Sequence, residues 1–144
     1  MRRQAEVSRW WAETEIEVQF YDLDPMEIVW HGNYVKYIEV VRCELLNKIN
    51  YNYPQMKASG FIWPVIDMSV RYIGAATFGQ RIKLRADIVE WENRLKINYL
   101  ISDAVTGKRL TRASTTQVAV DIATKEMCFV SPAVLFEKLG IKMD

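Results

Sequence analysis

The sequence predicts a single α+β domain in which one long helix packs on a five-stranded antiparallel sheet. Three observations lead to this prediction. The segment 33–49 has the periodicity of an amphipathic helix, several later segments alternate between apolar and polar residues, and turn-forming residues separate those segments. The chain of 144 residues is also long enough to bury a core of its own. We therefore treat residues 1–144 as one domain.

The first strand is expected at 14–20, after a short lead-in at 1–12. Its apolar residues, which alternate with Glu15, Glu17 and Gln19, are Ile16, Val18 and Phe20. This alternation is typical of a half-buried strand. The loop 21–32 follows the strand and leads to the helix.

The helix is predicted over 33–49, with Asn33 as its N-cap. Residues with helical spacing form a single apolar stripe: Tyr34, Ile38, Val41, Leu45 and Ile49. Such a stripe must be buried against another element, and the rest of the chain offers only strands. We therefore expect the helix to lie on one face of the sheet.

Four more strands are expected after the connection 50–60. The predicted strands, in chain order, are 66–72, 81–88, 95–101 and 110–122. The segments between them contain turn-forming residues, namely the glycines of 74–80, Glu92-Asn93 and Thr106-Gly107. A short closing helix is predicted at 132–139, with Ser131 as its N-cap, Pro132 as its first residue and Gly140 just past its end.

Composition excludes several classes of function. The net charge is +1, so there is no overall basic footprint for nucleic acid. No apolar run is long enough to span a membrane and the N-terminus has no apolar leader, so we expect a cytoplasmic protein. Cys43 and Cys128 form neither a disulfide framework nor part of a metal-ligand motif. We expect no metal and no other cofactor.

Charge is nevertheless unevenly distributed along the chain. Residues 12–44 contain eight acidic and two basic residues, whereas residues 71–112 contain nine basic and four acidic residues. A ligand with a phosphate-rich end would find partners in the second region. The alternating basic residues Arg81, Lys83 and Arg85 are candidates for such contacts, although a solvated strand face is the simpler interpretation.

The candidate site lies in the loop before the long helix. Asp22, Asp24 and the only histidine, His31, fall within ten residues of one another there. A carboxylate can act as a base or a nucleophile, and the first N–H groups of a helix have no partner inside the helix. Those N–H groups can stabilise a developing oxyanion. This combination favours acyl or thioester chemistry.

These elements and motifs resemble the hotdog fold, specifically the 4-hydroxybenzoyl-CoA thioesterase-like family of acyl-CoA thioesterases. The resemblance covers about residues 15–132. The opening motif of the family is matched here by Asp22, Asp24, Val29, His31, Asn33 and Tyr34. Further matches are Tyr37, Glu39 and Arg42 on the helix, the segment 72–80, and the last strand at 113–118 with Asp121 after it.

The resemblance implies that Asp24 attacks the thioester carbonyl or activates a water molecule that does. The backbone N–H of His31 would polarise the carbonyl, and the His31 side chain would orient water or substrate. The predicted substrate-binding residues are Glu27, Trp30, Gly32, Asn33 and Tyr34. Asp22 is expected to orient the loop. The resemblance also implies a homodimer or homotetramer with sites at the subunit interface.

Glu27 departs from the family pattern, which usually has glycine at this position. A glycine there would allow a turn with positive φ or a close approach of substrate, and a glutamate would penalise or block either. Alternatively, Glu27 narrows the acyl pocket or points to solvent. The departure bears on the range of substrates more than on the reaction.

The predicted function is hydrolysis of an acyl-CoA to the free acid and CoA. Two alternatives remain open: a hotdog dehydratase or hydratase acting on acyl thioesters, and a non-catalytic protein that binds acyl thioesters or an acyl-carrier protein. The sequence does not distinguish CoA from carrier-protein thioesters, one acyl group from another, or a nucleophilic from a general-base role of Asp24. No Gly-x-Ser-x-Gly motif supports a serine hydrolase.

Overall fold

The structure, a computed structural model, describes residues 9–142. The strands are β1 (Trp11–Glu17), β2 (Phe61–Ile62), β3 (Val65–Tyr72), β4 (Arg81–Glu90), β5 (Leu95–Asp103), β6 (Arg109–Gln117) and β7 (Val120–Asp121). The helices are α1 (Asn33–Lys48), α2 (Tyr53–Ala58) and α3 (Ala133–Leu139), and a 3₁₀ turn covers Phe20–Asp22.

Five strands form one antiparallel sheet in the order β1-β4-β5-β6-β3, and β2 pairs with β7 in a small second ribbon. Helix α1 packs against β1 and β4. The predicted architecture, one long helix on a five-stranded antiparallel sheet, is therefore confirmed. Strand β3 lies at the edge of the sheet farthest from β1.

The core lies between α1 and the inner face of the sheet. Ile38, Val41 and Leu45 of the predicted helical stripe are fully buried. On the sheet, the apolar residues that alternate along β4 and β5 meet this stripe: Ile82, Leu84, Ala86, Ile88, Ile97, Tyr99 and Ile101. Each Å² of apolar surface removed from water contributes about 25 cal/mol to the free energy of unfolding. This layer is therefore the main source of stability.

The N-terminal prediction was wrong in its boundaries. Strand β1 begins at Trp11, inside the predicted lead-in, and ends at Glu17. Phe20, predicted as the last inward residue of the strand, lies in the 3₁₀ turn and is 78% exposed. Alternation along the sequence continues past the point where backbone pairing with β4 stops, and pairing ends at Glu17 opposite Arg81. Residues 1–8 of the lead-in lie outside the described residues.

Two further predictions need correction. The connection predicted at 50–60 contains α2, which Asn52 caps through its side chain with Gln55 as the reciprocal partner. The long strand predicted at 110–122 ends at Gln117. The alternation of the sequence predicts Leu110 and Arg112 on one face of this strand. A register shift near Leu110 separates them, because Leu110 is buried whereas Arg112 is exposed on the face opposite to the buried Thr111 and Thr115.

Candidate active site

The loop before α1 folds back on itself as a short hairpin. Leu23 and Val29 form an antiparallel bridge, the Asp24 N–H donates to the Ile28 carbonyl at 2.8 Å, and the Trp30 N–H donates to the Asp22 carbonyl at 3.0 Å. The Val29 N–H is bonded to the Ala76 carbonyl, which fixes the hairpin to the segment between β3 and β4. This pairing holds Asp24 and the start of α1 on one compact unit.

Asp24 lies near the tip of this hairpin and is half-buried. Its Oδ1 accepts a hydrogen bond from the Met26 N–H at 2.8 Å, as in an Asx turn. Its Oδ2 makes no hydrogen bond or ion pair within residues 9–142. The carboxylate is thus oriented by one oxygen while the other is available to a substrate or a water molecule.

Glu27, which replaces the glycine usual in the family, adopts the positive φ that a glycine would allow. Its φ is 63°, and its N–H donates to the Asp24 carbonyl at 2.9 Å. A left-handed conformation costs a residue with a side chain about 1–2 kcal/mol. The turn is therefore formed in spite of the glutamate, whose side chain is exposed.

Two N–H groups are free at the start of α1. Within the described chain, neither the His31 N–H nor the Gly32 N–H donates a hydrogen bond, whereas the Asn33 N–H is bonded to the Trp30 carbonyl. A Cβ atom at Gly32 would lie 2.4 Å from the Trp30 ring, so any larger residue at this position would displace the indole. The Trp30 ring, 49% exposed, also contacts the exposed His31 ring, with the centroids 5.2 Å apart.

Asn33 is not the N-cap that the sequence predicted. It is the first residue of α1, Gly32 precedes it as the cap, and no side chain caps the helix there. Asn33 is 7% exposed, and its Nδ2 donates to the Asp22 carbonyl at 2.8 Å. The side-chain amide that would have capped the helix instead joins the helix to the hairpin.

Asp22 orients the loop, as predicted. Its carboxylate accepts from the Gln19 N–H at 2.9 Å, and its carbonyl accepts from both Trp30 and Asn33. Burial, and then the nearby Asp22 carboxylate, raise the pKa of the buried Tyr37 hydroxyl. Tyr37 therefore remains a neutral phenol beside the loop and a poor candidate for proton transfer.

Tyr34 and Tyr72 pack beneath the first turn of α1. Tyr34 is 2% exposed, its hydroxyl accepts from the Ala76 N–H at 3.3 Å, and burial raises its pKa. The Tyr72 hydroxyl, at the end of β3, donates to the His31 carbonyl at 3.0 Å. The Tyr72 ring also meets the rings of His31 and Tyr34 edge-on. The turn that contains the free N–H groups is thus held by the edge strand.

This role of Tyr72 could not be predicted from the sequence. Tyr72 was expected in a strand, without a contact to the site, because 41 positions separate it from His31. No local signal marks such a contact. It follows from the position of β3 beside the first turn of α1, which only the folded chain defines.

A cavity of about 480 Å³ lies between the second half of α1, α2 and β2. Its lining includes the buried side chains of Leu46, Met56 and Trp63, with the exposed Tyr53 and Ile62 at its margin. Glu39 is the first α1 residue of the lining and lies about 9 Å along the helix from Asn33 at 1.5 Å per residue. Within one chain the cavity is therefore separate from Asp24 and His31, neither of which lines it.

The hairpin and the helix start bonded to it together contain a carboxylate with a free oxygen and two free N–H groups. This arrangement suits reactions in which a carbonyl oxygen gains negative charge, because N–H groups at a helix start attract anions. Among residues 9–142, no three His, Cys, Asp or Glu side chains cluster in a way that could hold a metal ion. No helix in that range is long and apolar enough to cross a membrane.

Comparison with known proteins places the chain in a family. Residues 18–137 match the family described as the Thioesterase-like superfamily. The protein named "Putative esterase sll0410" of Synechocystis is 29% identical over 140 residues, which cover 92% of this chain and 81% of that protein. "Putative acyl-CoA thioesterase YneP" of Bacillus subtilis is 28% identical over 108 residues, covering 74% and 78%.

A solved structure agrees with this assignment. The DHNA-CoA thioesterase of Staphylococcus aureus superimposes with a TM-score of 0.73 at 27% identity, covering 83% of this chain and 80% of that one. The chain belongs to the thioesterase-like superfamily and has the hotdog fold. The predictions of this family, of this fold and of a thioester hydrolase are confirmed.

Proposed function

We propose that the protein hydrolyses acyl-CoA thioesters with Asp24 as the catalytic carboxylate and the His31 N–H as the oxyanion donor. The observation that carries the proposal is the hairpin at 22–30, which contains a carboxylate with a free oxygen and is hydrogen-bonded to a helix start with free N–H groups. These are the two groups that thioester hydrolysis needs.

In the proposed reaction, the thioester carbonyl oxygen accepts a hydrogen bond from the His31 N–H. The Asp24 carboxylate then attacks the carbonyl carbon, or removes a proton from a water molecule that attacks it. The tetrahedral oxyanion collapses, the C–S bond breaks, and the CoA thiolate leaves. When water is the nucleophile, this step gives the free acid, and the proton that Asp24 removed from water passes to the thiolate. When Asp24 is the nucleophile, a water molecule then hydrolyses the acyl–Asp24 anhydride, which releases the acid and supplies the proton. Thioesters are already activated esters, so a positioned carboxylate and aligned dipoles supply sufficient catalysis without a metal or other cofactor.

Three side chains are proposed to contact the substrate around this centre. Trp30 covers Gly32 and is half exposed, so it forms one wall for the thioester group. Glu27 is at the rim of the same hairpin, and the exposed His31 ring orients water or substrate. Tyr34 and Asn33, which are buried and already hydrogen-bonded, support the site from below.

The names of similar proteins support CoA as the thiol. One relative is named an acyl-CoA thioesterase, and the Staphylococcus aureus structure is named for a CoA ester. A cytoplasmic location fits this proposal, because CoA esters are made and consumed there.

A homodimer through β3 completes the proposed site. The side of β3 that faces the core carries Met68, Val70 and Tyr72. Met68 and Tyr72 are paired with buried residues of β6, yet they are 36% and 48% exposed. Strand β3 is also an edge with free backbone groups, which is a template for pairing with another chain. A second copy is the partner that fits best, since a two-fold axis matches an apolar edge with itself.

Such pairing would also supply an acyl pocket. In an antiparallel pair of β3 strands, the Val65 end of one copy lies beside the Tyr72 end of the other. Val65 follows Trp63 and Pro64, which line the cavity, and Tyr72 contacts His31. The cavity of one copy would therefore approach the Asp24 hairpin of the other and receive its acyl group.

The test is thiol release from short, medium, long and aromatic acyl-CoAs. Asp24→Asn should lower kcat by at least about 100-fold, since general-base catalysis contributes that much or more. His31→Ala should lower kcat less than tenfold, because the backbone N–H remains. Asp121→Asn is the matched control, since Asp121 also accepts backbone N–H bonds in a turn but lies on β7.

Full activity of a folded Asp24→Asn protein would overturn the mechanism. Binding of acyl-CoA by the wild type without turnover of any CoA or carrier-protein thioester would overturn the proposed hydrolysis, and would support a binding protein instead.

A further inference from the structure

The outer face of the sheet divides into a charge-paired half and an unpaired half. On β1 and β4, Arg81 pairs with Glu15, Lys83 with Glu13, and Arg85 with both Glu13 and Asp87. The three basic residues that the sequence offered as phosphate contacts are therefore already neutralised by neighbouring carboxylates.

The unpaired half lies on β3 and β6. Arg71 is directly opposite Arg112, so the two side chains point to the same face with their Cα atoms about 5 Å apart. Arg109 stands on the same face, opposite Ser102. All three arginines are exposed, and none forms an ion pair or hydrogen bond through its side chain within residues 9–142.

The nearby acidic residues are bonded elsewhere or lie apart from these arginines. The carboxylate of Asp103, which follows Ser102, accepts hydrogen bonds from Gln80 and from two backbone N–H groups of its own turn. Along the row that crosses the sheet, Leu100 separates Arg112 from Arg85 and its carboxylates. On β3 itself, Asp67 is four residues from Arg71, about 13 Å at 3.3 Å per residue. Like charges directly opposite one another in a sheet are unfavourable, so this cluster is suited to an anion that bridges them.

We propose that Arg71, Arg109 and Arg112 form a site for the phosphate groups of the CoA part of the substrate. The proposal rests on the proposed function and adds the residues that recognise the CoA end. Guanidinium groups bind phosphate through paired N–H donors, and three of them match a ligand with several phosphate groups.

The position of the cluster relative to the candidate active site supports this assignment. Arg71 is followed directly by Tyr72, whose hydroxyl reaches the His31 carbonyl. Successive strand residues point to opposite faces, so the arginines and the His31 turn lie on either side of the same strand end. The chain leaves the sheet at this strand end, where the backbone N–H groups of Ile73 and Gly74 both donate to the Leu110 carbonyl.

Calorimetric binding of CoA to the full-length protein tests the site without requiring turnover. The Arg71→Gln/Arg112→Gln double variant should weaken CoA binding about tenfold, and raising the salt concentration should weaken wild-type binding more than that of the variant. The matched control is Arg81→Gln/Lys83→Gln, which removes two charges from the paired half. It should change the affinity for CoA less than twofold.

A kinetic comparison tests the same site during the reaction. The double variant should raise KM for an acyl-CoA about tenfold, with kcat unchanged, and should leave hydrolysis of the same acyl group on N-acetylcysteamine, which has no phosphate, unaffected. Unchanged CoA affinity, or equal losses with both esters, would overturn the proposed phosphate site. CoA binding that depends on the arginines, without turnover of either ester, would support the phosphate site and contradict the proposed hydrolysis.

Discussion

The two edges of the sheet, β1 and β3, differ in how their side chains are covered and paired. At the β1 edge, α1 covers the inner face, and cross-strand ion pairs join β1 to β4 on the outer face. At the β3 edge, apolar Met68 is exposed on the inner face and Arg71 is unpaired on the outer face. We call the charge-paired edge at β1 the closed edge, and the edge at β3, with its exposed apolar and unpaired basic side chains, the open edge.

This difference supports the proposed dimer through β3. Charged side chains on an edge strand discourage further strand pairing, and β1 has alternating glutamates at Glu13, Glu15 and Glu17. Strand β3 has no such protection at Met68 and Val70, and its last residue contacts the turn before α1. The open edge and the candidate active site are therefore parts of one surface.

The largest effect is expected from a charge placed on the open edge, which should change both the oligomeric state and the activity. Met68→Asp should convert the proposed dimer to a monomer, measured by analytical ultracentrifugation, and lower activity more than about tenfold because an unpaired buried charge costs several kcal/mol. Ser69→Asp is the matched control, since Ser69 lies on the outer face of the same strand opposite Ser114. A Met68→Asp protein that remains dimeric would show that β3 is not the interface.

A smaller effect is expected from the hydrogen bond that joins the open edge to the site. Tyr72→Phe removes the donor to the His31 carbonyl and should lower kcat about fivefold to tenfold, corresponding to a hydrogen bond of about 1 kcal/mol. KM should change little, because the ring remains. An unchanged kcat would mean that packing alone holds the turn.

Tyr99→Phe provides the control from the covered part of the sheet. Tyr99 is 4% exposed, and its hydroxyl is hydrogen-bonded to Thr115 at 2.7 Å. Its loss should lower the free energy of unfolding by about 1 kcal/mol and leave kcat unchanged. Together, Tyr72→Phe and Tyr99→Phe distinguish a hydrogen bond that positions the His31 turn from one that only stabilises the fold.

The smallest expected effect concerns the strained turn at the candidate active site. Glu27→Gly should raise the free energy of unfolding by about 0.5 kcal/mol, because relief of the left-handed conformation slightly exceeds the extra chain entropy of glycine. Lys125→Gly, at a φ of 61° in a turn away from the site, should give a similar gain. Chemical denaturation measures both, and a loss of stability only in Glu27→Gly would show that the glutamate side chain makes a compensating contact.

The sequence predicted the elements with strong local signals. Helix α1 and strand β4 were placed almost to the residue because their apolar residues repeat with the period of their own backbone. Helix α2 was missed because six residues are too few for a period, although Asn52, Pro54 and Gln55 form a recognisable capping pattern. Leu110 and Arg112 were wrongly predicted to share a face of β6, because polar residues occupy both faces and a register shift lies near Leu110.

The fold class, the family and the candidate residues Asp24 and His31 could be predicted from the order of residues, because each depends on neighbours along the chain. Folding alone reveals that Asn33 joins the helix to the hairpin instead of capping the helix, that Tyr72 holds the His31 turn, and that Arg71 faces Arg112. Each of these contacts depends on register and on packing between elements. Local periodicity contains no information about which distant residue comes to lie opposite.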